Sequence, residues 1–339
     1  MVADPSPTVS VVIPALNEAG FLPECLDSVI EALRGVGGEI LVVDGGSTDG
    51  TREIATQYQR REPALRVIDN PGRVTPWAFN LGITQGRSRL VAILSAHCRV
   101  DPAFFSAAIA RLSAGEADIV GGPVRTEAGS PGLLGWLLAQ VVSHPFGVGN
   151  SRFRVSRRAA YVDAVPFAVF RREVFDGVGL FETALVRNQD TEFFGRVARA
   201  GYRVFLDPAV GSVYRARGTL AGLLEQGFRN AYWNVRVWRQ NPRAFQWRHA
   251  VPAGFTLSLC LGTILATVLP TARLLLALEL IAYAVAATAA GVHIAIRTGR
   301  VAALLTPPVF FLYHLVYGAG SLAGVRWLVR GPPRISPKP

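Results

Sequence analysis

The stretch from Glu39 to Thr51, EILVVDGGSTDGT, most constrains how this chain can fold. Four apolar residues, Ile40 to Val43, stop at Asp44; glycines and small polar residues follow to Gly50, and a helical pattern opens at Thr51. That order spells a buried strand, a tight turn and a helix start. In an open α/β sheet, ligands sit beyond the carboxyl ends of the strands, so a carboxylate at a strand tip beside glycines is placed to meet a small polar molecule. Asp44 and Asp49 are equally suited to shaping the turn and capping the helix, and both roles stay open at this point.

The flanking segments extend the pattern. Val9 to Ile13 predicts a strand ended by Pro14, Glu18 to Leu33 a helix, Thr51 to Arg61 a second helix and Leu65 to Ile68 a third strand. The order β-α-β-α-β with right-handed crossovers gives a parallel, doubly wound sheet. Trp77 to Gln85 predicts a helix and Leu90 to Leu94 a strand ending at Ser95-Ala96-His97, a second tip opening on the same edge. Asp101 to Leu112 predicts a helix, and Ile119 to Val124 a strand interrupted by Gly121 and Gly122. Gly129 to Arg158 is glycine-rich, then basic, without periodicity; it suits a substrate-covering loop or a plain surface loop. Ala164 to Phe170 follows without an assigned element, then a helix is expected from Asp190 to Ala200 and a strand at Val204 to Leu206.

Hydrophobic residues make up 50% of the 339, and the mean hydropathy of +0.30 is high for a soluble protein. The excess lies after Val251. Ala250 to Leu269, Leu274 to Ile296 and Val301 to Val325 are each long enough to cross a hydrocarbon core of ~30 Å. The first two are expected to span; the third carries Pro307-Pro308 and His314 and fits a kinked span or a re-entrant hairpin. A cytoplasmic amino-terminal domain with three full spans would put Arg326, Arg330, Arg334 and Lys338 outside, against the positive-inside tendency, whereas a re-entrant third segment would not. Leu220 to Trp238 predicts a basic, aromatic helix suited to a membrane surface. The formal charge of +11 suits phosphate-rich ligands or anionic lipid, and without a nucleic-acid motif it does not indicate DNA or RNA binding. Cys25, Cys98 and Cys260 share no metal spacing and cannot all pair, which suits a reducing compartment. The amino-terminal segment has no signal-like core, so the first domain is expected in the cytoplasm.

Four motifs stand where strands end or loops cross: PALNE from Pro14 to Glu18, DGGSTDGT from Asp44, NPGR from Asn70 with Asn80 beyond it, and RNQDTEFFGR from Arg187. Together with HPFGVGNSRFR from His144 and YVDAVPFAVFRREVFDGVGLF from Tyr161, they resemble the family 2 glycosyltransferases of the GT-A fold, over about Val9 to Trp233. Within that family they are similar to the branch that builds exopolysaccharide repeats on lipid-linked sugars. The resemblance implies a Rossmann-like, mostly parallel α/β catalytic domain over residues 1–218, a basic amphipathic region over 219–249, membrane segments over 250–325 and a basic tail over 326–339. It implies a multi-pass plasma-membrane protein that moves a hexose from a nucleotide diphosphate sugar, UDP-linked above all, to a polyprenyl-diphosphate-linked sugar with inversion, and exopolysaccharide assembly partners in addition.

The same resemblance implies site roles. Pro14, Ala15, Asn17, Glu18, Asp44, Gly46, Ser47, Asp49, Arg73, Ser95 and Ala96 would contact the nucleotide sugar, with Asn17, Glu18 and Asp44 at the base and ribose and Arg73 over the diphosphate. The family normally has a second Asp where Gly45 stands. Asp190 would be the general base that takes the proton of an attacking hydroxyl, while Glu192 is spaced to pair with Arg196. His97 would hold a divalent cation, Mn²⁺ or Mg²⁺, although Ser95 replaces the first acid of the metal motif, and imidazole suits Mn²⁺ better than Mg²⁺. Arg187, Asn188, Gln189, Arg217, Gln226 and Arg229 would meet the acceptor and its phosphates. Gln226 to Arg229 with Trp233 is similar to the Gln-x-x-Arg-Trp element of processive members, but Asn230 stands where Trp belongs, so single transfer is expected. Two other functions remain open from the sequence: transfer to polyprenyl phosphate itself, and an inactive transferase-like membrane scaffold.

Overall fold

The computed structural model describes residues 8–149, 151–155, 158–244 and 247–330. These fall into two compact units, one built from 8–125 and 158–214, the other from 126–155 and 215–330.

The first unit is an α/β sandwich. Its strands are β1 (Val9–Ala15), β2 (Gly38–Asp44), β3 (Leu65–Asp69), β4 (Leu90–Ile93), β5 (Cys98–Val100), β6 (Ile119–Gly121), β7 (Val124–Glu127, where the chain leaves the unit), β8 (Ala160–Tyr161), β9 (Ala168–Arg171), β10 (Val204–Leu206) and β11 (Ser212–Arg215). The main sheet runs β3-β2-β1-β4-β9-β6-β10-β8. Its β3-β2-β1-β4 half and the β6-β10 pair are parallel, while β9 runs antiparallel between β4 and β6, and β8 antiparallel beside β10. The sheet is therefore mixed but mostly parallel. β5 pairs antiparallel with β11 in a smaller sheet.

Helices α1 (Leu22–Leu33), α2 (Thr51–Arg61), α3 (Thr75–Gln85) and α4 (Phe104–Ser113) join the early strands. Leu22, Leu26, Val29 and Leu33 of α1 and Phe104, Phe105, Ala108 and Leu112 of α4 share one core with Val11, Ile13, Ile40 and Val42, the inward positions of two period-two strands. The fully buried runs Val11-Val12-Ile13 and Leu41-Val42-Val43 show that helices cover both faces. On the other face α3 lies so close that a Cβ on Gly82 would stand 2.2 Å from Val12 Cγ1.

Three predicted boundaries move, each for a local reason. α1 begins at Leu22, not Glu18, because Asn17 takes a left-handed conformation (φ 57°) and the Glu18 and Ala19 amides donate to Thr51 Oγ1 and Asp49 Oδ2. α4 begins at Phe104 because Asp101 is committed to an ion pair with Arg125. The strand expected through Val124 breaks after Gly121, since Gly122 passes so near Val210 that a Cβ would stand 1.9 Å from its carbonyl oxygen.

The second unit is helical: α5 (Gly132–Val141), α6 (Pro145–Val148), α7 (Arg152–Val155), α10 (Leu220–Gln240), α11 (Ala250–Ala266), α12 (Pro270–Thr298), α13 (Thr306–Gly324) and α14 (Arg326–Arg330); α8 (Arg172–Val178) and α9 (Gln189–Arg199) belong to the first. Gly129 to Arg158, expected to be irregular and grouped with the catalytic domain, instead supplies α5, α6 and α7 to the helical unit, within its described residues. The reason is apolar content: Leu138, Val141 and Val142 join Leu223, Ile294, Val309 and Phe310 in that unit's core. α10 and α13 approach closely at glycines, with Gly227 against Tyr313 and Gly320 against the Phe228 backbone.

Of the three apolar stretches, the long ones are Pro270–Thr298 and Val301–Leu328; Ala250–Ala266 is only 17 residues. The first stretch is thus shorter than expected. The third shows no hairpin: a 3₁₀ turn at Val301–Leu305 leads into α13, and Pro307-Pro308 fall in its first turn, where a missing N–H costs nothing. Arg334 and Lys338 of the basic tail lie outside the described residues.

Candidate active site

Parallel register sets the site. Ala15 aligns with Asp44 and Asp44 with Asp69, while Val12 aligns with Ile93, so β1, β2, β3 and β4 end side by side. Four loops therefore leave one edge of the sheet: Leu16–Phe21, Gly45–Gly50, Asn70–Val74 and Leu94–His97. Backbone bonds sew them together, Gly45 N–H to the Ala15 carbonyl at 2.8 Å and Asn70 N–H to the Asp44 carbonyl at 2.8 Å. Pro14 and Ala15 form the end of β1, and Ala96 is buried beneath the last loop.

Asp44 is buried and accepts from the Gly46 amide (3.2 Å), the Ser47 amide (3.3 Å) and Ser47 Oγ (2.6 Å), with Arg52 Nη1 at 3.5 Å. Its carboxylate thus organises the glycine turn. Asn17 locks the first two loops: its Oδ1 accepts from the Thr48 amide at 2.9 Å, and its own amide donates to Ser47 Oγ at 3.0 Å. Asp49 accepts from Thr51 Oγ1 and from the Ala19 amide, and the Thr51 hydroxyl foremost holds its carboxyl below the ordinary range.

Arg73 also has φ 57°, a conformation unfavourable for a side chain with Cβ, and its guanidinium lies over Gly46, with Nη2 3.5 Å from the Gly46 carbonyl oxygen. A Cβ on Gly46, itself at φ 78°, would meet Arg73 Cζ at 3.8 Å. Asn70 closes the turn that presents Arg73, accepting from the Gly72 amide and donating to the Val74 carbonyl. A planar cationic fork is thus held above the glycine turn.

His97 stands at the β4 tip. Its Nδ1 is 3.2 Å from Glu18 Oε1, and Ser95 Oγ is 3.2 Å from Nδ1 and 3.1 Å from Nε2. Phe21 and Tyr214 flank the ring edge-on at 6.4 and 5.5 Å between centroids. Among the described residues no cluster of three or more His, Cys, Asp or Glu forms a metal cage. The donor set at this tip is one carboxylate, one imidazole and one hydroxyl, which fits a cation that completes its shell with phosphate oxygens or water. Cys25 and Cys98 are unpaired and buried nearby in the core; hydrogen bonding with Cys98 and burial push the Cys25 thiol well up.

Asp190 lies in the first turn of α9. Arg187 precedes it, Asn188 is left-handed (φ 57°), and Gln189 opens the helix. Asp190 is exposed; desolvation is the leading influence on its carboxyl and raises its pKa, against opposing hydrogen bonds such as that from the Thr191 amide at 2.8 Å. No cation pairs with it among the described residues. Glu192, by contrast, is committed: Arg196 grips it at 2.9–3.1 Å and also donates to the Leu180 carbonyl. Asn80 exchanges two 2.9 Å hydrogen bonds with the Phe181 backbone and so anchors the segment leading toward Asp190.

Arg217, Gln226 and Arg229 belong to the helical unit, where Arg217 and Arg229 are exposed and Arg229 pairs with Glu225 at 2.6 Å. Sequence reasoning missed Arg52, Phe21, Tyr214 and the bonding partner of Asn80. Arg52, one residue into the helix after the glycine turn, is the only one of these with a local signal, its position beside Asp44 at a shared strand tip.

The chain resembles several glycosyltransferases. It is 29% identical over 221 residues to the succinoglycan biosynthesis protein ExoA of Rhizobium meliloti, covering 64% of this chain and 66% of ExoA. It is 22% identical over 334 residues, 94% of this chain and 97% of the relative, to the dolichyl N-acetyl-alpha-D-glucosaminyl phosphate 3-beta-D-2,3-diacetamido-2,3-dideoxy-beta-D-glucuronosyltransferase of Methanococcus voltae. Among solved structures, the mannosyltransferase PcManGT from Pyrobaculum calidifontis, in complex with GDP-Man and Mn²⁺, superposes with a TM-score of 0.56 at 21% identity over 96% of this chain and 88% of that one. GalNAc-T7 with UDP, GalNAc and Mn²⁺ does so with a TM-score of 0.52 at 17% identity, over 70% and 48%. Both likenesses show the GT-A fold. The Glycosyl transferase family 2 pattern matches residues 10–179, half of the chain, and the protein belongs to that family of glycosyltransferases.

Proposed function

We propose that the protein is a membrane-anchored inverting hexosyltransferase that uses a nucleotide diphosphate sugar, UDP-linked, and a polyprenyl-diphosphate-linked sugar as acceptor. The observation that carries this is the alignment of four strand tips bearing Asn17, Glu18, Asp44, Arg73 and His97 on one sheet edge. Asp44, Asn17 and the glycine turn supply donors and acceptors for a nucleoside, and Arg73 a charge for the diphosphate. The Rhizobium and Methanococcus relatives, named for succinoglycan biosynthesis and for a dolichyl-linked acceptor, support a lipid-linked glycan pathway.

In the transfer, the acceptor hydroxyl oxygen forms a bond to the anomeric carbon as the bond from that carbon to the β-phosphate oxygen breaks. The electron pair leaves with the nucleoside diphosphate, and the hydroxyl proton passes to Asp190. Asp190 suits this task because no cation among the described residues holds its charge and desolvation raises its pKa above that of an ordinary Asp. Arg73 offsets the charge growing on the leaving diphosphate. A divalent cation at His97 would neutralise the same oxygens when bound.

Membrane anchoring rests on α12. Leu274, Leu275, Leu278, Ile281 and Val285 are exposed on a helix of 29 residues, a surface for which lipid is the fitting solvent. Two full spans, α12 and the 301–328 segment, would return the chain to the side of the membrane from which α12 starts.

Asp190→Asn tests the reaction class. With a sugar-hydroxyl acceptor in lipid extracts, the expected loss is about 10²–10⁴-fold in kcat. Appreciable remaining transfer onto polyprenyl phosphate, an acceptor that is already an anion, would replace the proposed acceptor with that one. Absence of nucleoside diphosphate binding by calorimetry would replace it with a scaffold.

A further inference from the structure

The metal motif at the β4 tip lacks its first acid, and the structure supplies a carboxylate from elsewhere. We infer that Glu18, from the loop after β1, is a cation ligand together with His97, taking the place left by Ser95; this rests on the transferase function proposed above. Glu18 Oε1 and Ser95 Oγ stand 3.2 and 3.1–3.2 Å from the imidazole nitrogens. Neighbouring ligands of an octahedral ion with bonds of ~2.1 Å are about 3 Å apart, so the spacing already matches one edge of such a shell.

The placement is built, not incidental. The Glu18 amide is fixed by Thr51 Oγ1 at 2.8 Å, and the residues either side of it by Ser47 and Asp49. The Ser95 carbonyl accepts from the Cys25 thiol at 3.4 Å, and Phe21 and Tyr214 hold the His97 ring between their edges. Glu18 and His97 keep 21% and 30% of their side-chain surface exposed, enough for a cation to reach both while its other positions face substrate. A carboxylate, a hydroxyl and an imidazole together favour Mn²⁺ over Mg²⁺. Glu18 then acts on the diphosphate end of the donor, not on its base.

The test uses the full chain in detergent, titrated with Mn²⁺ in the presence of UDP or GDP and followed by the electron paramagnetic resonance of free Mn²⁺. Glu18→Gln and His97→Ala are each expected to weaken Mn²⁺ binding at least about tenfold, as loss of groups at a metal site does, a larger loss than either shows for nucleotide in EDTA. Glu18→Gln combined with Ser95→Asp is expected to regain the affinity, which a merely structural Glu18 would not allow. Mn²⁺ affinity in Glu18→Gln equal to the parent's, with nucleotide still bound, overturns this assignment alone. A parent protein that binds neither nucleotide, with or without Mn²⁺, overturns the transferase function as well.

Discussion

The residues proposed to serve the site stand out by what they cost the fold. Asn17, Arg73 and Asn188, the non-glycine residues with positive φ among those described, fall in the PALNE, NPGR and RNQD motifs. Arg73 is the most telling, since Arg has no local hydrogen bond to compensate the conformation as Asn does. Arg73→Gly is expected to leave thermal stability unchanged or raise it by up to about 1 kcal/mol, while weakening nucleotide diphosphate binding by calorimetry. Asp190 shows the same conflict. Its carboxyl pKa is raised, desolvation being the leading cause, so ionisation works against the folded state as pH rises above the unfolded value. Asp190→Asn should therefore not lower the melting temperature at pH 7, even as transfer is lost. In the parent enzyme the acid limb of kcat against pH should lie above the ordinary Asp range.

At the scale of elements, packing of helix on sheet sets what can change. Gly82 on α3 meets Val12 on β1 with no room for a methyl group, so Gly82→Ala is expected to destabilise by about 1–3 kcal/mol in denaturant melts. At the opposite edge of the sheet from the site, Glu39 on β2 is buried and binds Ser10 of β1 (2.7 Å), the Arg87 amide (2.6 Å) and Arg66 (2.9 Å). Burial pushes its carboxyl up, but those hydrogen bonds outweigh it and leave the pKa below the ordinary value. A depressed carboxylate contributes stability that is present above the unfolded pKa and is lost as pH falls through the folded one. Glu39→Gln should cost about 1.5–3 kcal/mol at pH 7, less at pH 3, and leave kcat unchanged because its bonding partners Ser10, Arg66 and Arg87 lie outside the four site loops.

For the whole molecule, the proposed membrane anchoring rests on the helical unit. An apolar helix as exposed as α12 predicts that the expressed chain stays in the membrane pellet after alkaline carbonate and is released by detergent. Release by carbonate alone would refute the anchoring. Arg217 and Arg229 lie in this unit, so charge reversal at these two proposed acceptor contacts should raise KM for a lipid-linked acceptor while leaving nucleotide affinity unchanged.

The sequence by itself determined the α/β alternation, because period-two and period-3.6 patterns over Val9 to Leu94 are set by which face each element buries. It also determined the motif positions and the family they resemble. Only the tertiary structure decided that Gly129 to Val155 packs with the helices, since an apolar run like LLGWLLAQVV carries no label for the core it will join. The strand break at Gly122 and the loop in place of a first α1 turn likewise depend on partners, Val210 and the Asp49–Thr51 pair, that are distant in sequence. So does the meeting of Glu18 with His97: 79 residues separate them along the chain, and parallel register alone brings the two strand tips together.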